Sequence, residues 1–297
     1  MFHFSAADTL AFMTSTRVAV VTGGAGAIGG AIVAELTASG HAVVSLDAAG
    51  DPAVDLASED QVRAAAARVL ADHRRCDVLV HAAACFDRAD LTSVDLAGWR
   101  RVQAVNVESA LMLAQAFAPG MAERGFGRIV FVVSDTVWSP PAADMLAYVS
   151  SKGTLIGLAR TLAVGLGADG IAVTCVAPGL TDTSAARAGN SDAAFDDVRS
   201  RQALPRTLVP GDVASTVGFL VTDAAAALTG QTLCVDGGLI LRLAVAPGAP
   251  AERRHRQHQP GDGPGAQNQR DATELPALGR LERGGLSGQE HRAHPLA

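Results

Sequence analysis

Two periods of hydrophobic residues alternate along this chain. Residues 17–21, Arg-Val-Ala-Val-Val, form a β-branched run that stops at Thr22-Gly23-Gly24, which predicts a buried parallel strand entering a tight turn. From Gly26 to about Ser39 the apolar residues Ile28, Ile32, Val33 and Leu36 share one helical face, and Gly40 closes the helix. Strand patterns return at 41–46, 78–83, 128–133, 171–176 and 233–235. Between them lie helical patterns from Ser58-x-x-Gln61, a capping-box signature, to about His73, and over about 99–117 and 147–166. Asp212 opens a shorter helix. Strands alternating with helices predict an α/β fold, a single Rossmann-type doubly wound parallel sheet covered on both faces. Ligands of such sheets bind at the carboxyl ends of the strands.

The two ends break this pattern. Met13-Thr-Ser-Thr-Arg is a natural start for a domain whose first strand begins at residue 17, so residues 1–12 are expected to be an N-terminal appendage and residues 13–242 the catalytic domain. Beyond residue 242 the chain turns to Pro, Gly, Arg, His and Gln without an aromatic residue, which predicts a disordered tail over 243–297. Hydrophobic residues make up 48% of the whole and charged residues 18%, enough for a sizeable core. A net charge of -6 argues against nucleic-acid binding, which needs a basic footprint. Cys76, Cys85, Cys175 and Cys234 follow no metal-ligand spacing, and no metal site is expected. No apolar run reaches the ~18 residues of a membrane span, and residues 1–16 do not form a secretory signal. The expectation is a cytoplasmic protein with reduced thiols.

Chemistry concentrates at two places. Thr22-Gly-Gly-Ala-Gly-Ala-Ile-Gly29 lies between a strand and a helix, where glycines let the backbone approach a pyrophosphate and the helix N-terminus offers free N–H groups. Asp47 ends the second strand, 24 residues after Gly23; a carboxylate there binds ribose hydroxyls and repels a 2′-phosphate, which argues for NAD over NADP. A turn aspartate is the plain alternative. Asp55, after Val54, is placed to meet the adenine amino group. The second place is Tyr148 and Lys152. They are the only tyrosine and the only lysine in the chain, and they are four residues apart on one helical face. A nearby ammonium favours phenolate and would bring the phenol below its ordinary value of about 10, into the range of a usable acid and base.

Tyr-x-x-x-Lys after a Thr-Gly-rich turn resembles the short-chain dehydrogenase/reductase family in its short single-domain form, over about residues 16–242. Val80-His-Ala-Ala-Ala84 stands where the family has a strand-end Asn-Asn-Ala-Gly, Asn106 where it has a helical Asn, and Ser134 where it has a catalytic serine. Pro178-Gly-Leu-Thr-Asp-Thr183 and Thr229–Gly238 match its later segments. The departures are Ala27 for a glycine, His81-Ala82 for two asparagines, and Thr174 for an asparagine. Ser134 lies 14 rather than 13 residues before Tyr148, and Asp135 occupies the 13-residue position.

The resemblance implies hydride transfer between NAD(H) and a secondary alcohol or ketone. Tyr148 would carry the proton and Lys152 would lower its pKa and hold the nicotinamide ribose. Ser134 would bind the substrate oxygen and Asn106 a water leading to Lys152. Gly23, Ala27, Ile28, Gly29, Asp47, Asp55, Leu56, Ala83, Pro178, Gly179, Thr181 and Thr183, with Tyr148 and Lys152, would contact the cofactor. Trp138, Leu146 and a loop over 184–205 would wall an apolar substrate pocket, favouring a hydrophobic substrate over a sugar. A 3-oxoacyl-thioester reductase using NADP(H) is the alternative within the family, and a catalytically silent nicotinamide sensor the alternative outside it. The resemblance further implies a homotetramer or homodimer joined through the helices at 99–117 and 147–166.

Overall fold

The computed structural model describes residues 16–242, so the expectations for residues 1–12 and 243–297 lie outside the described residues. Six parallel strands form one sheet: β1 (Val18–Thr22), β2 (Ala42–Leu46), β3 (Val78–His81), β4 (Gly127–Val132), β5 (Ile171–Pro178) and β6 (Thr232–Val235). Their order is β2-β1-β3-β4-β5-β6. The chain therefore winds outward one way from β1 to β2 and the other way from β3 onward. The crevice where that direction reverses lies between the ends of β1 and β3, where doubly wound sheets bind ligands.

Period-two alternation builds two cores. Val20, Leu79, Ile129, Phe131 and Val173 point to one face, where they pack with α2 (Glu59–His73), α4 (Ser109–Glu123) and α5 (Leu146–Leu166) through Val62, Leu113, Phe117 and Leu155. Their neighbours Val21, Val80, Val130 and Val132 point to the other face, against Ile32 and Leu36 of α1 (Ala27–Ala38) and Val213 and Val217 of α8 (Pro210–Leu220). Burial on both faces explains why these strands read as continuous apolar runs.

Three elements differ from their sequence expectation. The capping box at Ser58 is only half formed: Ser58 Oγ accepts from Gln61 N at 3.4 Å, but Gln61 Oε1 accepts from Asp55 N at 2.9 Å and so ties the preceding loop instead. The long helix expected at 99–117 is three pieces, α3 (Leu96–Gln103), a π-turn at Ala104–Glu108, and α4. The loop expected at 184–205 contains two helices, α6 (Ser184–Gly189) and α7 (Asp192–Arg201), each capped by a hydroxyl, Thr183 and Ser191. A last short helix, α9, spans Leu239–Arg242.

Candidate functional site

The Gly-rich turn leaves β1 and opens α1. Gly23 has φ +73°, and a Cβ there would lie 2.7 Å from the backbone N and Cα of Ala83 at the end of β3. A Cβ on Gly29 would drive into the carbonyl oxygen of Gly23. The first turn of α1 is exposed at Ala27, with Ile28 half-buried beside it. A cradle this tight, ending on the free N–H groups of a helix, fits a dinucleotide pyrophosphate. Ala27, in place of a glycine, is accommodated because its methyl faces outward.

Asp47 is engaged by the backbone on both carboxylate oxygens. Its Oδ2 accepts from Ala25 N at 3.1 Å and its Oδ1 from Ala49 N at 2.9 Å. The carboxylate thus braces the Gly-rich turn and caps its own turn, a structural role that accounts for an aspartate here without any ribose. Asp55 likewise accepts from Ala57 N at 3.0 Å, and Leu56 is buried in the core at 6% exposed.

The strand-end departure at His81 is rebuilt by the imidazole. His81 Nε2 faces the carbonyl oxygen of Asn106 at 3.1 Å, an acceptor, so Nε2 carries the proton. Nδ1 then accepts from Thr22 Oγ1 at 2.9 Å, and Thr22 Oγ1 in turn accepts from Ala83 N at 3.2 Å. Burial holds this histidine neutral, its pKa down to about 3. One ring therefore ties together the end of β1, the end of β3 and the π-turn.

That turn aims Asn106. The residue is fully buried: its Nδ2 donates to Ser151 Oγ at 2.9 Å and to Cys85 O at 3.1 Å, and its Oδ1 accepts from Cys85 N at 2.6 Å. Its side chain is thus pinned to Cys85 and to α5, and its carbonyl to His81.

Tyr148 and Lys152 lie on α5, the lysine 1% exposed with Nζ 5.5 Å from the tyrosine ring centroid. The Lys152 ammonium donates to Val132 O at 2.8 Å, and burial lowers its pKa to about 8. Burial also pushes the Tyr148 phenol up to about 12; the Ser134 hydroxyl pulls it down and the Asp135 charge adds to the rise. The expected lowering by the ammonium is not seen in the chain by itself, where desolvation sets the shift. Of the two candidates for the serine position, Ser134 pulls the phenol's pKa down and Asp135 pushes it up.

Pro178 and Thr181 are buried, and Thr181 Oγ1 donates to Gly179 O at 2.9 Å, shaping the segment that faces the end of α5. Thr183 is spent on capping α6, accepting from Ala186 N at 3.0 Å. Trp138 is half-exposed beyond the one-turn helix that follows Ser134, and Leu146 opens α5 two residues before Tyr148. Sequence reasoning missed Phe86. Its ring stands edge-on to Tyr148 at a centroid distance of 4.8 Å, with the Arg88 guanidinium 5.3 Å from its centroid and Arg88 paired with Asp144. Nothing in the local pattern singles out Phe86, because its partner Tyr148 is distant in sequence. Among the described residues no cluster of His, Cys, Asp and Glu could hold a metal ion, and no helix is long and apolar enough to cross a membrane.

Residues 23–240 match a family model described as enoyl-(acyl carrier protein) reductase. A cis-4-hydroxycyclohexanecarboxylate dehydrogenase of Sinomonas cyclohexanicum is 34% identical over 240 residues, covering 75% of this chain and 96% of that protein. A Beutenbergia cavernae structure with bound NADP at low occupancy is 32% identical, with a TM-score of 0.70, covering 77% of this chain and 98% of that one. A blue fluorescent protein from a metagenomic library, solved with NADPH, is 30% identical with a TM-score of 0.70, covering 75% of this chain and 97% of that one. The chain belongs to the short-chain dehydrogenase/reductase family. It is a nicotinamide-dependent oxidoreductase that transfers hydride at CH–OH and ketone carbons.

One expectation is corrected by these relatives. The ranking of NAD above NADP does not stand, because two similar structures carry NADP and NADPH. The physical reason is visible at Asp47, whose carboxylate is engaged by Ala25 and Ala49 backbone amides. An aspartate after β2 is therefore no measure of cofactor choice in this chain.

Proposed function

We propose that the chain interconverts a secondary alcohol and its ketone, with Tyr148 as the proton-transferring group, and that NADP(H) serves it at least as well as NAD(H). The observation that carries this reading is the convergence of Tyr148, Lys152 and Ser134 at the carboxyl ends of β4 and β5, across from the glycine cradle of β1. The cofactor would rest on Gly23, Ala27, Ile28 and Gly29, pass Asp47, Asp55, Leu56 and Ala83, and meet Pro178, Gly179, Thr181 and Thr183 at its nicotinamide end. When bound, the nicotinamide supplies or accepts the hydride.

The chain's own groups manage the oxygen and its proton. A Tyr148 phenol held near pKa 12 keeps its proton at neutral pH and can give it to a ketone oxygen. Ser134 hydrogen-bonds the same oxygen. Lys152 lies within one helical turn of the phenol, its charge fixed by Val132 O, to hold the nicotinamide ribose and favour phenolate in the reverse direction. Asn106 fixes the segment after β3 against α5. Phe86, with Trp138 and Leu146, gives the substrate an apolar wall. A relative acting on a ring-borne hydroxyl supports the secondary-alcohol class. The correction at Asp47 removes the cofactor argument against a 3-oxoacyl thioester, so that substrate is the second reading. Free Cys76, Cys85, Cys175 and Cys234 fit a cytoplasmic setting. The α4–α5 face fits assembly into a dimer or tetramer.

The test is a fluorescence titration with NADPH and NADH, followed by turnover against a panel of secondary ketones and 3-oxoacyl thioesters. NADPH binding with ketone reduction is the expected result. Binding of neither nucleotide sinks the reading, and reduction of thioesters alone moves it to the second one.

A further inference from the structure

Asp135 is a buried carboxyl that the mechanism above leaves unused. It begins the one-turn helix Asp135–Val137 directly after Ser134 and is 7% exposed. Its carboxyl oxygens lie between two parts of the reaction centre. Oδ1 receives the Ser134 hydroxyl at a long 3.5 Å, and Oδ2 would touch a Cβ on Gly179 at 3.2 Å, so it lies against the Pro178–Thr183 segment. Its charge is felt at the Tyr148 phenol. Beyond Gly179 stands Asp236, whose Cα and Cβ would be 3.0 Å from that same Cβ. The two aspartates are not equivalent. Asp236 spends its oxygens on Gly238 N at 2.8 Å and Ile240 N at 3.0 Å, whereas the Asp135 carboxyl is met by the Ser134 hydroxyl and by the backbone of its own one-turn helix.

We propose that Asp135 is a specificity-determining residue whose carboxyl accepts a hydrogen bond from a hydroxyl on the carbon next to the reacting one, so that the site selects vicinal diols and α-hydroxy ketones. The inference rests on the secondary-alcohol reading and deepens it. Phe86 packs on the Tyr148 ring, and Asp135 lies against Ser134 and the Gly179 segment. A substrate oxygen held by Tyr148 and Ser134 would bring the adjacent carbon to that carboxyl, a polar group in what the sequence reading expected to be a largely apolar lining. Sites built to bond a substrate hydroxyl discriminate strongly against analogues that lack it, because the buried partner is then left unpaired. Burial, and the Asp236 charge facing it from the end of β6, raise the Asp135 carboxyl to about 7; Tyr148 from α5 and Cys234 from β6 are the other titratable groups within its reach. The carboxylate is the stronger acceptor, so selection for the second hydroxyl should sharpen as pH rises through 7.

The experiment compares kcat/KM for 2-butanol and 2,3-butanediol in wild type, Asp135→Asn and Asp135→Ala, with NADPH titration of each variant as the check on folding. Wild type should favour the diol by about tenfold or more, Asp135→Ala should erase that ratio, and the isosteric Asp135→Asn should keep part of it. Between pH 6 and 8.5 the ratio should rise in wild type and stay flat in Asp135→Asn. A wild-type preference for 2-butanol, or a ratio untouched in a variant that still binds NADPH, overturns the proposal while leaving the secondary-alcohol reading in place. Wild type that binds NADPH but oxidises neither alcohol overturns both.

Discussion

Tyr148 and Ser134 act on one oxygen, so their substitutions should fail differently. Tyr148→Phe removes the transferable proton and keeps the ring against Phe86; turnover should fall by 10²-fold or more while NADPH affinity changes little, read by steady-state rates beside a fluorescence titration. Substantial residual turnover would displace Tyr148 from its role. His81 makes a sharper case at this scale, because it is neutral and fully buried. Its folded pKa of about 3 lies below its unfolded value near 6.5, so between those pH values the unfolded chain holds the extra proton. Stability from this group is complete above pH 6.5 and is lost as pH falls toward 3. His81→Asn should flatten that part of the pH-stability curve, measured as urea midpoints at pH 4.5 and 7.5; parallel curves for wild type and variant would refute the sign. Tyr148 and Lys152 were legible in the sequence because each is the only residue of its type there and their spacing is helical. Phe86 and the bonds of Asn106 were not, since their partners Tyr148, Cys85 and His81 lie 21 or more residues away; Asp47 was half legible, its turn with Ala49 being local and its brace on Ala25 not.

The elements that carry the site are defined by where regular structure is interrupted. The π-turn at Ala104–Glu108 inserts an irregular turn into what periodicity reads as one helix, and it delivers Asn106 to Cys85 and His81. Hydrophobic spacing cannot reveal such a turn, because the apolar stripe continues through it on Val102, Val105 and Leu113. The glycine cradle is the opposite case: its spacing was readable, and its necessity is now steric. Gly29→Ala must push against Gly23 O, a backbone atom with no room to yield. That variant should lose NADPH binding by at least tenfold even where it folds, whereas Ala27→Gly, on an exposed methyl, should change affinity less than about threefold; equal effects in the two titrations would deny the cradle its role.

At the scale of the whole molecule, the alternation of strand and helix was readable because both faces of the sheet are buried, and each strand must then be apolar along its length. The exception to that burial is the outer face of α4 and α5. A shallow groove of about 350 Å³ runs between these helices, lined mainly by Leu111, Ala114, Ala118, Pro119, Leu162 and Leu166, with Gln115 and Asp169 beside them. Leu111 is 37% exposed. Small residues at Ala114, Ala118 and Ala122 leave the α4 backbone open to close approach, and the α5 face beside them carries leucines rather than charges. A second copy of the same pair of helices would cover that surface with matching chemistry, as a self-complementary two-fold contact requires. Wild type should therefore sediment as a dimer or tetramer at micromolar concentration. Leu111→Glu with Leu162→Glu places carboxylates on both sides of the contact and should shift the protein to monomer, with NADPH affinity reduced only insofar as α5 loses its support. A wild-type monomer at those concentrations would reject the assembly, and a double variant that stays assembled would place the contact on another face of the molecule.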